Sequence, residues 1–243
     1  MSKKYLLGVD GGTEGLRAGV FDVFGTSLAF ASTSYPTQFP APSWAEQDPN
    51  DWWDALGKSV RKAISDSGIS VDQIAAMTVD TTCCSVVPLD DSGNPVRPAL
   101  IWMDVRSAEQ AEQMVATEDD ALRINSNGSG PVSAEWMIPK ALWIKQNEPD
   151  NFGRAATICE YQDYINLHLT GRLGASINNV STRWHCDYSR EGVPKSLLEK
   201  LDLGELAEKW PQDVFRLGEL VGGLTPRAAE HLGLTTDLPV VQG

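Results

Sequence analysis

The chain has 243 residues, 42% hydrophobic and 22% charged, with a formal net charge of −13. That length holds one large or two small domains with a sizeable core, and the composition is that of a globular protein rather than a disordered or fibrous one. The acidic balance argues against nucleic acid or an anionic membrane as the main partner, while leaving room for a nucleotide gripped by local N–H groups and a metal.

Met-Ser-Lys-Lys runs directly into a strand-like segment, leaving no room for a signal peptide, and no apolar run approaches a membrane span. The alternation that follows predicts three strands, Tyr5–Asp10, Leu16–Val23 and Ser27–Tyr35, the last after a turn at Phe24-Gly25-Thr26. Pro36, Pro40 and Pro42 mark an exposed loop. Asp48 is an N-cap with Pro49 at the first helical position. Trp52, Trp53, Leu56, Val60 and Ile64 then follow at helical spacing, so this helix packs its tryptophans on a sheet. Strands are expected at Ile74–Asp80, Ser85–Leu89 and Ala99–Met103, with a turn at Asp91-Ser92-Gly93-Asn94. Ser107 caps a helix rich in Glu and Gln, and Asn125–Gly130 reads as a flexible polar loop. Helices are expected over Ser133–Gln146 despite Pro139, after a short strand within Ala156–Thr170, over Lys195–Lys209 with a break at Gly204, and over Pro226–Leu232. The apolar run Leu238–Gly243 predicts one more strand. A strand meander followed by alternating strands and helices implies a mixed α/β sheet.

The densest signal is Gly8-Val9-Asp10-Gly11-Gly12-Thr13, continuing to Arg17. One strand delivers a carboxylate to a Gly-Gly-Thr turn. Glycines there allow positive φ or close approach of a ligand, and successive N–H groups with the Thr13 hydroxyl can cradle phosphate. Asp10 at the strand end can hold Mg²⁺ through water. The same residues also suit a plain β-hairpin. The cysteines are Cys83, Cys84, Cys159 and Cys186, with no CxxC; neighbours Cys83 and Cys84 are poorly placed to pair, so zinc and a disulfide framework are not expected, and a reducing cytoplasm fits.

Four blocks together give the chain a recognisable face. They are Gly8–Thr13 with Arg17; Trp44-Ala45-Glu46-Gln47-Asp48-Pro49 with Trp52-Trp53; Val79-Asp80-Thr81-Thr82-Cys83-Cys84 with Ile101-Trp102-Met103-Asp104; and Ser133-Ala134-Glu135-Trp136-Met137-Ile138-Pro139-Lys140. In this order they resemble the N-terminal domain of the FGGY carbohydrate kinases, and the last two are most similar to the ribulokinase branch. The resemblance implies an actin-like ATPase (ribonuclease H-like) fold and ATP- and Mg²⁺-dependent phosphorylation of a pentulose such as ribulose or xylulose. It implies that residues 1–243 are one N-terminal actin-like domain. A C-terminal nucleotide domain and the general base, an aspartate just beyond the strand ending at Gly243, would lie outside them. The chain alone is then expected to be inactive and to expose apolar surface, and so to aggregate or form a homodimer. The rival reading is a non-catalytic sugar-binding or interaction domain with the kinase fold.

Carried onto this sequence, the resemblance makes Asp10 the catalytic, metal-associated carboxylate and gives Gly11, Gly12, Thr13 and Arg17 to the phosphates. Arg17 could equally be solvated or paired with Asp22. Cys83, Trp102, Glu135 and Arg183 would line the sugar site. Trp102 would offer a stacking face, with core packing as its alternative. Glu135 would accept hydroxyls, or else sit at a helix start favoured by the macrodipole. A nucleophilic role for Cys83 is not expected, because no basic partner is near in sequence. His168 and His185 read as structural.

Overall fold

A computed structural model describes residues 4–125, 132–190 and 192–243. The chain opens with strands β1 (Tyr5–Gly11), β2 (Gly15–Asp22) and β3 (Ser27–Ser34). The short β4 (Glu46–Gln47) precedes helix α1 (Pro49–Ser67), and β5 (Ile74–Thr81), β6 (Val86–Leu89), β7 (Ala99–Leu100) and α2 (Ala108–Ala116) follow. Helices α3 (Met137–Asn147) and α4 (Pro149–Arg154) lead to β8 (Thr157–Glu160) and α5 (Tyr161–Thr170). Then come β9 (Gly174–Ser176), α6 (Ile177–Thr182), α7 (Lys195–Lys200), α8 (Leu206–Lys209), β10 (Asp213–Phe215), β11 (Leu220–Gly223), α9 (Pro226–Leu232) and β12 (Pro239–Gln242).

The main sheet has six strands in the order β11-β12-β5-β1-β2-β3. β1, β2 and β3 form an antiparallel meander, whereas β1, β5 and β12 run parallel. Parallel neighbours need crossovers, and helices α1 and α5 supply them. This is the actin-like arrangement that the sequence resemblance implied. Its consequence for function is the register: Asp10 lies beside Asp80, and Gln242 beside Val79, so three parallel strands end along one edge. A smaller sheet, β4-β7-β6-β8, stands next to it, and β9 pairs with β10.

Local chemistry explains α1 well. The Asp48 carboxylate accepts the Asn50 N–H at 2.9 Å, Pro49 needs no donor partner, and Gly68 ends the helix at φ +68°. Trp52, Leu56, Val60 and Ala63 are fully buried in the core that joins α1, α5 and α9 to one face of the main sheet. Burying each large apolar side chain contributes about 1.5–3 kcal/mol, so Trp52→Ala alone should cost about 3–5 kcal/mol. Trp53 is only partly buried, stacking on His231 at 4.5 Å. A second core gathers around α3 and α4, with Trp143, Phe152 and Trp184 among its members. The opposite face of the main sheet is open, with Leu6, Phe30 and Leu220 exposed. Among the described residues, no helix is long and apolar enough to cross a membrane.

Several boundaries differ from the sequence reading. α3 begins at Met137, not Ser133, which puts Pro139 in the first turn, where its missing N–H costs nothing. The strand expected over Ala99–Met103 is two residues long, because Ile101–Asp104 closes a turn through the Asp104 N–H and Ile101 carbonyl. Lys195–Lys209 is two helices separated by residues 201–205. Of the loop expected at Asn125–Gly130, all but Asn125 lies outside the described residues.

Candidate functional site

The Gly-Gly-Thr turn joins β1 to β2, and its backbone closes through the Gly12 N–H and the Gly15 carbonyl at 3.0 Å. Neither Gly11 nor Gly12 has a positive φ, contrary to one use expected of them. Space is the reason at Gly11: a Cβ there would meet the Tyr161 ring at 2.8 Å. The turn rests on an aromatic floor. The Tyr35 hydroxyl donates to the Gly12 carbonyl and lies 3.2 Å from the Tyr161 hydroxyl, while Tyr161 stacks on Trp52 at 3.8 Å. Burial pushes the Tyr35 hydroxyl up to about 12, so it stays a donor.

Gln47 fixes Thr13 from below. Its amide donates to the Thr13 carbonyl and the Thr37 hydroxyl, both at 2.7 Å, and accepts the Trp52 indole N–H at 2.9 Å. The Trp102 indole N–H donates to the Thr13 hydroxyl at 2.9 Å. That oxygen is thereby an acceptor, and its own proton is left to donate to a ligand. Trp102 is 40% exposed, which removes the core-packing alternative. Its turn is anchored by buried Asp104, which accepts the Ala45 N–H at 2.7 Å and grips Arg106 through both oxygens.

Asp10 and Arg17 are cross-strand partners and form an exposed ion pair on the open sheet face. Arg17 therefore does not pair with Asp22, whose carboxylate instead accepts the Phe24 and Thr26 N–H groups. An exposed pair of this kind contributes little stability, so a ligand can exchange with either member cheaply. Among the described residues no group of three or more His, Cys, Asp or Glu could hold a metal. One carboxylate at a strand end still fits Mg²⁺, which keeps its waters and takes its other oxygens from substrate phosphates.

Cys83 and Arg183 come together across about 100 residues on a cavity of about 560 Å³ that Asp80, Gln162, Asn179 and Gly243 also line. The loop carrying Cys83 is pinned from inside. The Cys84 N–H donates to Glu160 at 2.7 Å, and Trp184 donates to the other Glu160 oxygen at 2.7 Å. Burial raises the Glu160 carboxyl to about 7. Lys140, fully buried on α3, donates to the carbonyls of Cys84 and Ile101 at 2.7 Å and of Leu100 at 3.3 Å. Burial lowers its ammonium to about 8. Lys140 thus ties the Cys83 loop to the Trp102 turn.

Glu135 is not part of that cavity. It lies in the turn before α3, its N–H bonded to the Ser133 hydroxyl at 3.2 Å, so the helix-start alternative fails by two residues. His185 is buried against Trp136, and His168 packs on Tyr164 and Trp53, in keeping with structural roles. The sequence reading missed Asp80, Lys140 and Glu160. Asp80 carried a visible signal, since it is the next-to-last residue of β5 as Asp10 is of β1, and Lys140 carried another, a cation in the apolar first half of α3.

A family model described as the FGGY family of carbohydrate kinases, N-terminal domain, matches residues 5–243. A xylulose kinase of Staphylococcus epidermidis is 26% identical over all of this chain and 47% of its own length. A ribulokinase of Shouchella clausii is 30% identical over 99% of this chain and 48% of its own. Among solved structures, the xylulose kinase of Rhodospirillum rubrum superposes with a TM-score of 0.89 at 28% identity, covering 99% of this chain and 48% of that one. The gluconate kinase of Lactobacillus acidophilus shares the fold, with a TM-score of 0.85 at 20% identity, covering 98% and 47%. The chain spans about half the length of the curated relatives it matches.

Proposed function

The chain belongs to the FGGY family of carbohydrate kinases, and we propose that residues 1–243 form the N-terminal, sugar-binding half of a pentulose kinase acting on ribulose or xylulose. The observation that carries this reading is the edge where β1 and β5 end. A Gly-Gly-Thr turn with an adjacent carboxylate meets a pinned loop that opens on a polar cavity.

The reaction is in-line transfer of the ATP γ-phosphoryl group to a sugar hydroxyl. Mg²⁺, when bound with ATP, neutralises phosphate charge, and Asp10 is the residue that would hold it through water. Gly11 and Gly12 keep the turn free of side chains where phosphate approaches. The Thr13 proton and Arg17 supply a donor and a cation on that side. Trp102 offers an apolar face to the C–H side of the sugar, while Arg183 donates to hydroxyls and Cys83 bounds the wall. Glu135 would reach the sugar only from the rim. By the family resemblance, proton removal from the attacking hydroxyl is assigned to a carboxylate outside these residues, beyond β12 and Gly243, the residue after it that lines the cavity. The open sheet face is where we place the nucleotide-carrying half, or a second copy in a homodimer. Dependence on ATP and the free thiols of all four cysteines fit a cytoplasmic setting.

Two measurements test this. Calorimetry on the 243-residue polypeptide should show weak binding of ribulose or xylulose, and a coupled ADP assay on it should show no pentulose-dependent turnover, since positioning is most of phosphoryl-transfer catalysis. Binding of neither sugar would sink the sugar-site reading. Turnover by the 243-residue polypeptide would sink the half-enzyme reading.

A further inference from the structure

Cys83 and Cys84 follow β5 after one intervening residue, Thr82, and differ sharply in setting. Cys84 has a left-handed backbone, φ +62°, held by Glu160 at its N–H and Lys140 at its carbonyl. This pins its buried thiol 3.7 Å from the Cys83 sulfur, towards which it donates. Cys83 is half-buried and faces the cavity, with the Arg183 guanidinium beside both sulfurs. Hydrogen bonding from Cys84 and the positive charge of Arg183 outweigh burial and bring the Cys83 thiol down to about 6. Glu160 and Lys140 are the other titratable neighbours behind the loop, and Asp80 is the carboxylate on the cavity wall. The remaining cysteines are shielded: Cys84, Cys159 and Cys186 are each no more than 2% exposed, and burial pushes the Cys159 and Cys186 thiols up, as the Cys83 bond and burial do for Cys84.

We propose that Cys83 is a reactive thiolate in the wall of the cavity, a site of covalent modification by hydroperoxides and soft carbon electrophiles that closes the cavity to sugar. The inference of closure rests on the sugar-site reading above; the reactivity does not. With a hydroperoxide, the Cys83 thiolate attacks one oxygen of the O–O bond. An S–O bond forms, the O–O bond breaks, and the departing oxygen takes a proton from solvent. Sulfur loses two electrons to the peroxide and becomes a sulfenic acid; when that acid releases its proton to solvent, Arg183 can hold the negative charge of the sulfenate. With iodoacetamide, an S–C bond forms, the C–I bond breaks and iodide leaves. Either adduct occupies space beside Arg183 that a sugar hydroxyl would need. Arg183, at the C-cap of α6, provides the cation that sequence proximity did not offer.

The test is labelling of the 243-residue protein with limiting iodoacetamide from pH 5 to 9, read by intact mass and peptide mapping. One adduct is expected, at Cys83, with a rate that rises through a midpoint near pH 6. At pH 6 the rate should be on the order of tenfold above that of an ordinary thiol, after the lower nucleophilicity of a low-pKa thiolate is allowed for. Arg183→Gln should move the midpoint upward and Arg183→Lys should restore most of the shift. Ribulose or xylulose at saturating concentration should slow labelling. A midpoint near the ordinary 9 in the wild-type protein, or labelling that prefers another cysteine, overturns the proposal, whether or not the Arg183 variants fold. Fast labelling at Cys83 that neither sugar slows upholds the reactive thiol and overturns the sugar-site reading instead.

Discussion

Lys140→Met probes whether the site depends on buried charge that touches no ligand. The substitution keeps a flexible apolar stem and removes the ammonium that joins Cys84 to Ile101. Two carbonyls at 2.7 Å lose the ammonium; that of Ile101 still accepts the Asp104 N–H, whereas that of Cys84 is left unsatisfied, at a cost of about 1–3 kcal/mol. Against this, the buried ammonium already titrates near about 8 rather than 10.5, and at about 1.4 kcal/mol per unit its removal returns about 3 kcal/mol. The two nearly offset each other in folding, so urea denaturation should stay cooperative, with stability within about 3 kcal/mol of wild type. They do not offset each other at the site, because the Cys83 loop and the Trp102 turn lose their common anchor. Calorimetry should show pentulose affinity lowered on the order of tenfold, about 1.4 kcal/mol. Wild-type affinity should also decline as pH rises past about 8, where Lys140 loses its charge, and Lys140→Met should be flat there. A folded Lys140→Met protein with wild-type affinity, or a pH profile that the substitution leaves unchanged, would refute the reasoning.

Asp10→Asn, in an enzyme containing this domain, should lower kcat about a hundredfold or more with little change in sugar KM, because the carboxylate acts on phosphate charge and not on the sugar; near-normal kcat in steady-state kinetics would make Asp10 structural. Trp102→Phe keeps a stacking face and loses only the bond to Thr13, so pentulose binding should weaken by about 0.5–1.5 kcal/mol, whereas Trp102→Ala should lose about 1–3 kcal/mol. Equal calorimetric losses for both would show that the bond, not the face, matters. His185 is buried, and desolvation holds its imidazole down near about 4, below its ordinary 6.5. Above 6.5 the ring is neutral in both folded and unfolded chains. Between 6.5 and about 4 only the unfolded chain protonates, so stability falls with pH by about 1.4 kcal/mol per unit, about 3 kcal/mol in all. His185→Asn, which tolerates the φ of +57°, should flatten that slope in urea titrations at pH 7 and 5; parallel slopes would clear His185.

What the sequence disclosed follows the range of the physics involved. Asp48, Pro49 and Gly68 act within a turn of their own helix, so α1 was readable almost to the residue. The turn at residues 10–13 was readable too, because its chemistry sits on consecutive residues. The ends of α3 and β7 were not, since tertiary bonds decide them: Lys140 draws α3 towards Ile101, and Asp104 bends the chain after Leu100. β9, β10 and β11 are three or four residues long, too short for alternation to register. Cys83 is the clearest case. Its sequence neighbours supply no cation, and the fold brings one from Arg183.

The same contrast explains how the site is built. The residues we propose meet a ligand, Asp10, Thr13, Trp102 and Cys83, stand at or next to strand ends or in turns and keep part of their surface in water. Such positions are poorly held by their own local bonding. Rigidity comes from behind, where Gln47, Lys140, Glu160 and Asp104 spend their polar atoms on backbone and side-chain groups of those same segments. Burying Lys140 and Glu160 is costly for folding, as the direction of both pKa shifts records. An apolar core at those positions would fold at least as well but would leave the Cys84 carbonyl unpaired and untie the Cys83 loop from the Trp102 turn. Phosphoryl transfer gains most of its rate from holding groups in line, so under the proposed function the stability given up beneath the site would serve the fixed positions of Thr13, Trp102 and Cys83.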